Sequence, residues 1–456
     1  MQSPTTPRFQ SRPSRREFLK VGAAVAVAGL TIPWFAGCGG ESSPGGEGIW
    51  KAMSWENKDE MKKWRLHLGD FFEQNYPKIK WEVDFGLAWE EYWTKLQTVV
   101  AGGATLDMCW MHDTRNALFA SQGFLQPLDD YIQETTPTGW PDKFYDSQVE
   151  SFQYQGSQYA IPYDFATGGF YVNLDWLEKA GVDVPAEDWT FDDLLEAGMR
   201  LNEVADDPDK QWGFSLPTDS YNSYFIVRSL GGEFVSNDPL EAHFTDSGTV
   251  AAYQYLYDAI WKHRLMPNPQ QILAATGGTG DVAAFFSSGR VAILYSLNDV
   301  AFVMNDLIGD KFRWTVAPTP TGEAGRFQFV GGSGFSIPKV SSEPEITYQA
   351  IKYTLTNPKN LPTTAKMGSM FVSRKDYWEY GVPPKDEVDS AAYKHTFYDL
   401  GKRDGIHPLY FPNYGRWDSS VYVKNMDNLW VNKEQDAGKV LRQVQTETEP
   451  LLQEPA

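Results

Sequence analysis

The chain has 456 residues, of which 42% are hydrophobic and 22% charged, and it can bury the cores of two or three domains. Its formal net charge of −20 argues against nucleic acid as a partner, because binding to phosphates needs basic patches. Aromatic residues reach 15%, with 17 tryptophans, which indicates either aromatic cores or a ligand whose flat apolar faces are edged with hydroxyl groups.

The first forty residues have the pattern of an export signal. A basic segment precedes an apolar run of 14 residues, 21–34, which is too short for a comfortable membrane span. Residues 14–20 resemble the twin-arginine export signal, with Arg15 and Arg16 as its defining pair. Residues 35–38 resemble a bacterial lipobox, which predicts lipid modification of Cys38.

These motifs predict an export signal peptide over 1–37 and a lipid-anchored flexible tether over 38–48, rich in glycine and serine. The mature protein would then be held to the membrane by its lipid alone, facing the periplasm or the cell exterior. The alternative is a basic tail with an uncleaved hydrophobic anchor.

The next segments alternate between helix and strand patterns. Apolar residues at three-and-four spacing predict a helix over 58–76, and alternation predicts a strand over 79–85. A second helix follows to about residue 100, then an apolar strand over 105–111 and a short helix over 115–122.

The second half repeats the pattern. A hairpin, a strand and a helix are predicted over 153–181, and Thr190 with Asp193 forms a capping box that opens a helix to about residue 202. Further predicted elements are a helix over 281–289, strands over 291–296 and 335–338, a helix over 343–355, and two or three helices after residue 420.

This order predicts an α/β fold with mostly parallel sheets flanked by helices. Ligands of such sheets bind at the carboxyl ends of the strands, so the loops after the strands are the candidate binding elements.

Motifs of familiar catalytic and metal sites are missing from the sequence. It holds no G-x-S-x-G, H-E-x-x-H, Walker or G-x-G-x-x-G motif, and its six histidines are scattered. Cys109 lies in an apolar run and is predicted to be a buried thiol. We therefore expect no metal and no cofactor, while a catalytic pair of carboxylates stays open as an alternative.

Eight segments carry a resemblance to a known family. The chain resembles a bacterial extracellular solute-binding protein of the carbohydrate-uptake class (family 1, maltose-binding-protein-like), the receptor of an ABC transporter. The segments are 101–108, 123–130, 156–163, 170–181, 188–194, 283–293, 331–335 and 367–370.

The resemblance implies a two-lobed periplasmic-binding-protein fold with a hinge, and a carbohydrate held between the lobes. Lobe one would comprise 49–161 and 318–380, and lobe two 162–317 and 381–456, with crossings near 161–164, 314–318 and residue 380. It also implies a monomer that is not an enzyme and that delivers its ligand to permease subunits. Phe371 stands where the family often has proline, and Asn298 and Asp299 stand where it often has a sugar-stacking tryptophan.

Aromatic and polar side chains on the predicted loops are the candidate ligand-binding residues, because a sugar offers hydroxyls to polar groups and C–H faces to rings. Each has packing or helix capping as its alternative role. They are Trp55, Glu56, Trp110, Asp113, Tyr163, Asp164, Tyr224, Asn298, Asp299, Gly332, Ser333, Arg416 and Trp417.

A carbohydrate receptor for an importer is the function that these features favour. The alternatives are a lipid-anchored enzyme that acts on polysaccharide with a carboxylate pair, and a structural or adhesion lipoprotein without a small ligand.

Overall fold

Two mixed β-sheets organise the chain in this computed structural model, which describes residues 48–454 apart from 57, 59–60, 360–372 and 377–388. The predicted signal peptide, with Arg15, Arg16 and the anchoring Cys38, lies outside the described residues, as do the 367–370 segment and Phe371. The strands are β1 Ile49–Met53, β2 Lys80–Asp84, β3 Met108–His112, β4 Gln153–Tyr154, β5 Ser157–Gln158, β6 Ile161–Pro162, β7 Ala166–Asn173, β8 Trp212–Ser215, β9 Val235–Asn237, β10 Leu240–Ala242, β11 Val291–Leu297, β12 Trp314–Ala317, β13 Gln328–Gly331, β14 Ser333–Ser336 and β15 Gly405–Ile406.

The first sheet has the strand order β2-β1-β3-β14-β6 and, with its helices, forms lobe one. The pairs β1–β2 and β1–β3 are parallel, whereas β14 runs antiparallel to both β3 and β6. The second sheet, in lobe two, has the order β15-β13-β7-β11-β8, with β12 also paired to β7. Here β7 is antiparallel to β11, β12 and β13.

The two-lobed α/β fold predicted from the sequence is confirmed, but the sheets are mixed where mostly parallel strands were predicted. The reason lies in how the chain enters each lobe. Strands β7 and β14 each follow directly on a strand of the other lobe, so they arrive from the opposite direction to strands that follow a helix. A pattern of alternating helices and strands does not reveal such entries.

Helices cover both sheets. The α-helices of lobe one are Met61–Asn75, Trp89–Ala101, Asp113–Ser121, Asp129–Glu134, Asp146–Ser151 and Pro344–Thr356. Those of lobe two are Leu174–Ala180, Phe191–Glu203, Tyr224–Ser229, Ser247–Tyr257, Pro269–Ala275, Val282–Ser287, Ala301–Ile308, Ser390–Tyr393, Leu400–Asp404, Tyr414–Trp417, Lys424–Trp430 and Ala437–Gln453. Short π segments extend three of them, at Asp258–Lys262, Lys394–Asp399 and Asp418–Val423, and a 3-10 turn spans Asn298–Val300.

The apolar side chains form separate cores in the two lobes. Lobe one buries Trp50, Trp64 and Trp110 among its other core residues. In lobe two, neighbouring residues of β7 point to opposite faces of the sheet, so that Phe170 lies in one cluster and Tyr171 in the other. Separate cores allow each lobe to keep its shape while the connection between them bends.

The chain passes between the lobes through very short connections. Three residues separate β6 from β7, and the single residue Gly332 separates β13 from β14. The second crossing therefore lies at Gly332 and not at the predicted 314–318, because β12 and β13 both pair with β7 of lobe two. The predicted third crossing near residue 380 lies outside the described residues.

Within the described ranges, no helix combines the length and the apolar character that a membrane span requires.

Candidate functional site

The carboxyl ends of strands from both sheets lie beside the crossings. His112 at the end of β3 pairs with Ser333 at the start of β14. Near the end of β11, Leu297 pairs with Gly168, close to the start of β7. Since the first crossing leads into β7 and the second into β14, loops after β3 and β11 both face the region where the lobes meet.

Lobe one contributes a wall of aromatic rings to this region. Trp55 follows β1, and Trp89 opens a helix with 39% of its surface exposed. The Trp55 and Trp89 rings lie 5.3 Å apart, and Trp89 lies edge-on to His112 at 5.1 Å. We call Trp55, Trp89 and His112 the aromatic wall. An exposed indole beside two other rings provides an apolar face for a flat ligand.

Three carboxylates, those of Asp113, Glu56 and Asp164, lie next to the crossings. Buried Asp113 accepts a hydrogen bond from the Gly332 amide at 3.0 Å, and its other oxygen lies 2.9 Å from Nδ1 of His112. Glu56 accepts hydrogen bonds from the Trp64 indole and, at 3.3 Å, from the Tyr163 hydroxyl. These bonds join the loops after β1 and β3 to both crossings.

Asp164 lies in the first crossing and accepts a hydrogen bond from the Ser333 amide of the second. Loss of solvent around the carboxyl raises its pKa to about 7, against the opposing effects of the Ser333 amide and His112. The carboxylates of Asp113 and Glu56 raise it further. Asp164 thus titrates near neutral pH at the point where the two crossings are bonded to each other.

Lobe two touches lobe one through tyrosine rings. Tyr221 lies 5.8 Å from His112 and 4.1 Å from Phe329, measured between ring centroids. Tyr410 stacks on Tyr221 at 6.2 Å. The Tyr221 loop therefore connects the aromatic wall to the interior of lobe two.

A cavity of about 540 Å³ opens at the carboxyl ends of β8 and β11 in lobe two. Its walls are mainly aliphatic side chains and prolines, and its carboxylates are Asp219 and Asp299. Both carboxylates are accessible to solvent. Thr218 and Asn222, which follow β8 in the chain, also line the cavity. The cavity size suits a small ligand or part of a larger one.

The amino-acid sequence matches one family over most of this region. The family model described as "Bacterial extracellular solute-binding protein" matches residues 54–361. The chain belongs to this family.

Relatives and solved structures of similar proteins are numerous. An arabinooligosaccharide-binding protein of Halalkalibacterium halodurans is 22% identical over 67% of this chain and 66% of its own length. The diacetylchitobiose binding protein DasA of Streptomyces coelicolor is 25% identical over 74% of this chain and 78% of its own length. The structure of an ABC substrate-binding protein from Listeria monocytogenes in complex with cycloalternan superposes with a TM-score of 0.73. That match covers 89% of this chain and 99% of the other at 20% identity, so it establishes the shared two-lobed fold.

Eight of the predicted site residues of this solute-binding protein lie at the crossings or at the cavity. The aromatic wall includes Trp55, and Asp299 lines the cavity. The other six join the crossings to each other or to the loops after β1 and β3: Glu56, Asp113, Tyr163, Asp164, Gly332 and Ser333.

Three predicted site residues belong to the cores instead. Trp110 is fully buried in lobe one, where it packs edge-on against Phe335. Trp417 is 1% exposed in lobe two, and its indole donates to Thr448 at 2.8 Å. Tyr224 is buried and donates to Glu233 at 2.5 Å. Their ligand-binding roles are corrected to packing, because these side chains are enclosed by their own lobe.

Two further predictions are corrected. Arg416 is exposed and forms an ion pair with Glu454 at 2.5 Å at the C-terminal end of the chain. Asn298 is fully buried, accepting from the Thr167 amide at 3.1 Å and donating to the Phe165 carbonyl at 3.1 Å. Asn298 thus fixes the turn that carries Asp299, which makes it a positioning residue.

The prediction did not include Trp89 and Asp219 among the candidate site residues. Trp89 fits the apolar stripe of its helix, so spacing predicts packing although its position at the first turn leaves it exposed. Asp219 stands in a polar loop with Tyr221, and only the contact with His112 shows that this loop reaches the other lobe. No group of histidine, cysteine and acidic residues that suits a metal ion occurs among the described residues.

Proposed function

We propose that this protein is the substrate-binding receptor of an ABC importer and that it captures a carbohydrate between its lobes. The observation that carries the proposal is that the His112–Tyr221 contact connects the aromatic wall to the carboxylate-bearing cavity, whose Asp219 accepts from the Tyr221 amide. Rings offer their faces to sugar C–H groups, and carboxylates accept from sugar hydroxyls. Two relatives are named as binding proteins for arabinooligosaccharides and for diacetylchitobiose, which supports a carbohydrate as the ligand.

Binding without catalysis is part of the proposal. The relatives are binding proteins, and the carboxylates Asp113 and Asp164 already accept backbone hydrogen bonds that hold the crossings. An oligosaccharide recovered from the protein should therefore be chemically unchanged. Release of shorter sugars would favour the alternative of a polysaccharide-acting enzyme.

We also propose that the protein acts as a monomer with permease subunits, exported through the twin-arginine signal and held at the membrane by lipid on Cys38. The motifs at 14–20 and 35–38 support this proposal. The glycine-rich stretch from residue 39 to residue 48 would let the lobes reach the permease.

Replacement of Trp89 by alanine tests the sugar-binding role of the aromatic wall. Removing an exposed ring should leave the free protein nearly as stable as before, yet weaken oligosaccharide binding by about 1–3 kcal/mol, as for an aromatic anchor. Calorimetric titration with ligands found in a thermal-shift screen of oligosaccharides measures the effect. Val423→Ala, at an exposed residue of lobe two, is the control. Unchanged affinity in Trp89→Ala would remove the aromatic wall from the binding site.

A further inference from the structure

The lobe-two cavity is lined by acidic side chains and by no basic ones in the part of the chain that the structure describes. The acidic side chains that line it are the carboxylates Asp219 and Asp299, and the described lining includes no lysine, arginine or histidine. Reduced contact with solvent raises the pKa of both carboxyls, and no described lining residue offers a basic partner, so a cationic ligand group would stabilise their charged forms.

The loop that holds Asp219 and Asn222 has hydrogen-bonding capacity that its own residues leave unused. Oδ1 of Asp219 accepts from the backbone amides of Tyr221 and Asn222, whereas Oδ2 accepts a long hydrogen bond of 3.4 Å from the Asn222 side chain. The Asn222 side-chain oxygen is buried and finds no hydrogen-bond partner within the described part of the chain. The loop thus presents acceptors that a ligand's donors can satisfy.

Tyr295 adds an independent observation. This residue lines the cavity, is 5% exposed, and its hydroxyl has no hydrogen-bond partner among the residues that the structure describes. The hydroxyl is near enough to Asp219 for the carboxylate to raise the pKa of the phenol, after the larger effect of burial. A buried hydroxyl left unpaired costs free energy, which a polar ligand group would recover.

We propose that this cavity receives a protonated amine, so that the preferred ligand is a saccharide with a free amino group. The proposal rests on the proposed carbohydrate function and narrows it to amino sugars. An ammonium group supplies three N–H donors and a positive charge, whereas a hydroxyl supplies one donor and no charge. Asp219, Asn222 and Tyr295 together offer the acceptors that such a group requires.

Three disaccharides that differ only at the C2 substituent test the proposal. Chitobiose carries amines, N,N′-diacetylchitobiose carries acetamides and cellobiose carries hydroxyls on the same linked backbone. Calorimetric titration at about pH 6, where the amines are protonated, should show chitobiose binding at least about tenfold tighter than either neutral disaccharide. At about pH 9 the preference should disappear as the amines lose their protons.

Isosteric variants locate the effect. Asp219→Asn and Asp299→Asn should each reduce the preference for chitobiose over cellobiose at least about threefold, because each removes one negative charge. Asp209→Asn, at an exposed loop residue of the same lobe, should leave the preference unchanged. A purely structural role would weaken both ligands equally.

The results separate this proposal from the proposed function. The amine proposal would be overturned if chitobiose bound no more tightly than the two neutral disaccharides, or if it did not bind at about 10 mM. If a neutral oligosaccharide still binds in that case, the proposed carbohydrate function stands and only the preference for an amine is lost. Failure of every saccharide in the panel to bind would overturn both.

Discussion

The indole of Trp417 is enclosed by aromatic side chains of lobe two. Its ring lies 5.2 Å from that of Tyr414, 5.4 Å from Tyr422 and 5.6 Å from Phe244. Its N–H donates to Thr448 at 2.8 Å, so the polar group is satisfied inside the core. This environment indicates that Trp417 contributes to the stability of the folded protein.

Replacement of Trp417 by alanine should therefore destabilise the free protein by about 3–5 kcal/mol, since it leaves a large cavity and an unpaired Thr448 hydroxyl. Urea unfolding followed by fluorescence and circular dichroism measures the loss. Trp89→Ala, which removes an exposed indole, serves as the control and should lose far less. A Trp417→Ala protein of unchanged stability with weakened sugar binding would instead restore the predicted ligand role.

The carboxyl of Asp164 should make stability depend on pH. Its pKa in the folded protein is about 7, raised from 3.8 mainly by loss of solvent. Between these values the folded state keeps a proton that the unfolded chain has lost, so the free energy of unfolding falls as pH rises through this window. Below about pH 4 and above about pH 7 this contribution is constant.

Asp164→Asn removes that titration while keeping an oxygen that can accept from the Ser333 amide. The variant should be more stable than the natural protein at pH 8, and its stability should fall less between pH 5 and pH 8. Urea unfolding across that range measures both effects, with Asp209→Asn as an exposed control. Parallel pH profiles for the natural protein and Asp164→Asn would contradict the assignment.

At the scale of elements, local sequence patterns correctly predicted the features that local hydrogen bonds stabilise. The capping box is confirmed: Thr190 and Asp193 bond reciprocally at the start of the helix Phe191–Glu203. The segment 318–331, which includes β13, was assigned to lobe one instead of lobe two, because its partner β7 lies more than 150 residues earlier in the chain. Pairing over such distances leaves no periodic signal within the strand itself.

The candidate site shows the same difference between local features, which the sequence predicts, and long-range contacts, which it does not. Loops after β1 and β3 were identified because parallel strands place their carboxyl ends together. Trp417 was misassigned because its loop-like composition, with glycine, proline and asparagine nearby, conceals a short helix packed into the core. The encounter of Tyr221 with His112 depends on the arrangement of two lobes, which no segment of the sequence encodes alone.

Gly332, the single residue between β13 and β14, should not tolerate a side chain. A Cβ at this residue would collide with the Asp164 carboxylate and the Gln148 side-chain oxygen. Gly332→Ala should therefore cost about 1–3 kcal/mol of stability, because it forces apart the bonded crossings. Thermal and urea unfolding measure the cost. In the control Gly69→Ala, the nearest atom is 3.7 Å away in a helix, and no loss is expected. Equal stability of the two variants would contradict the tight crossing.

At the scale of the whole molecule, a strongly acidic body needs a separate device to stay at a membrane. Removal of residues 1–37 would leave 35 basic and 59 acidic residues, a net charge of −24. Anionic lipid surfaces repel such a protein. The proposed lipid on Cys38 would supply that affinity through buried acyl chains, independent of the charge of the lobes.

The two cysteines of the chain allow a matched test of this anchoring. In bacterial cells, Cys38→Ala should move the exported protein from the membrane fraction to the soluble fraction or leave it as uncleaved precursor, because no acceptor for lipid remains. Cys109→Ala should leave the protein in the membrane fraction, since Cys109 is fully buried in β3 and its thiol pKa is raised by burial. Arg15→Lys combined with Arg16→Lys should keep the precursor in the cytoplasm, so export and anchoring fail separately. An unmodified Cys38 in the mass spectrum of the native protein would refute the lipid anchor, and some other contact would have to hold the acidic lobes beside the permease.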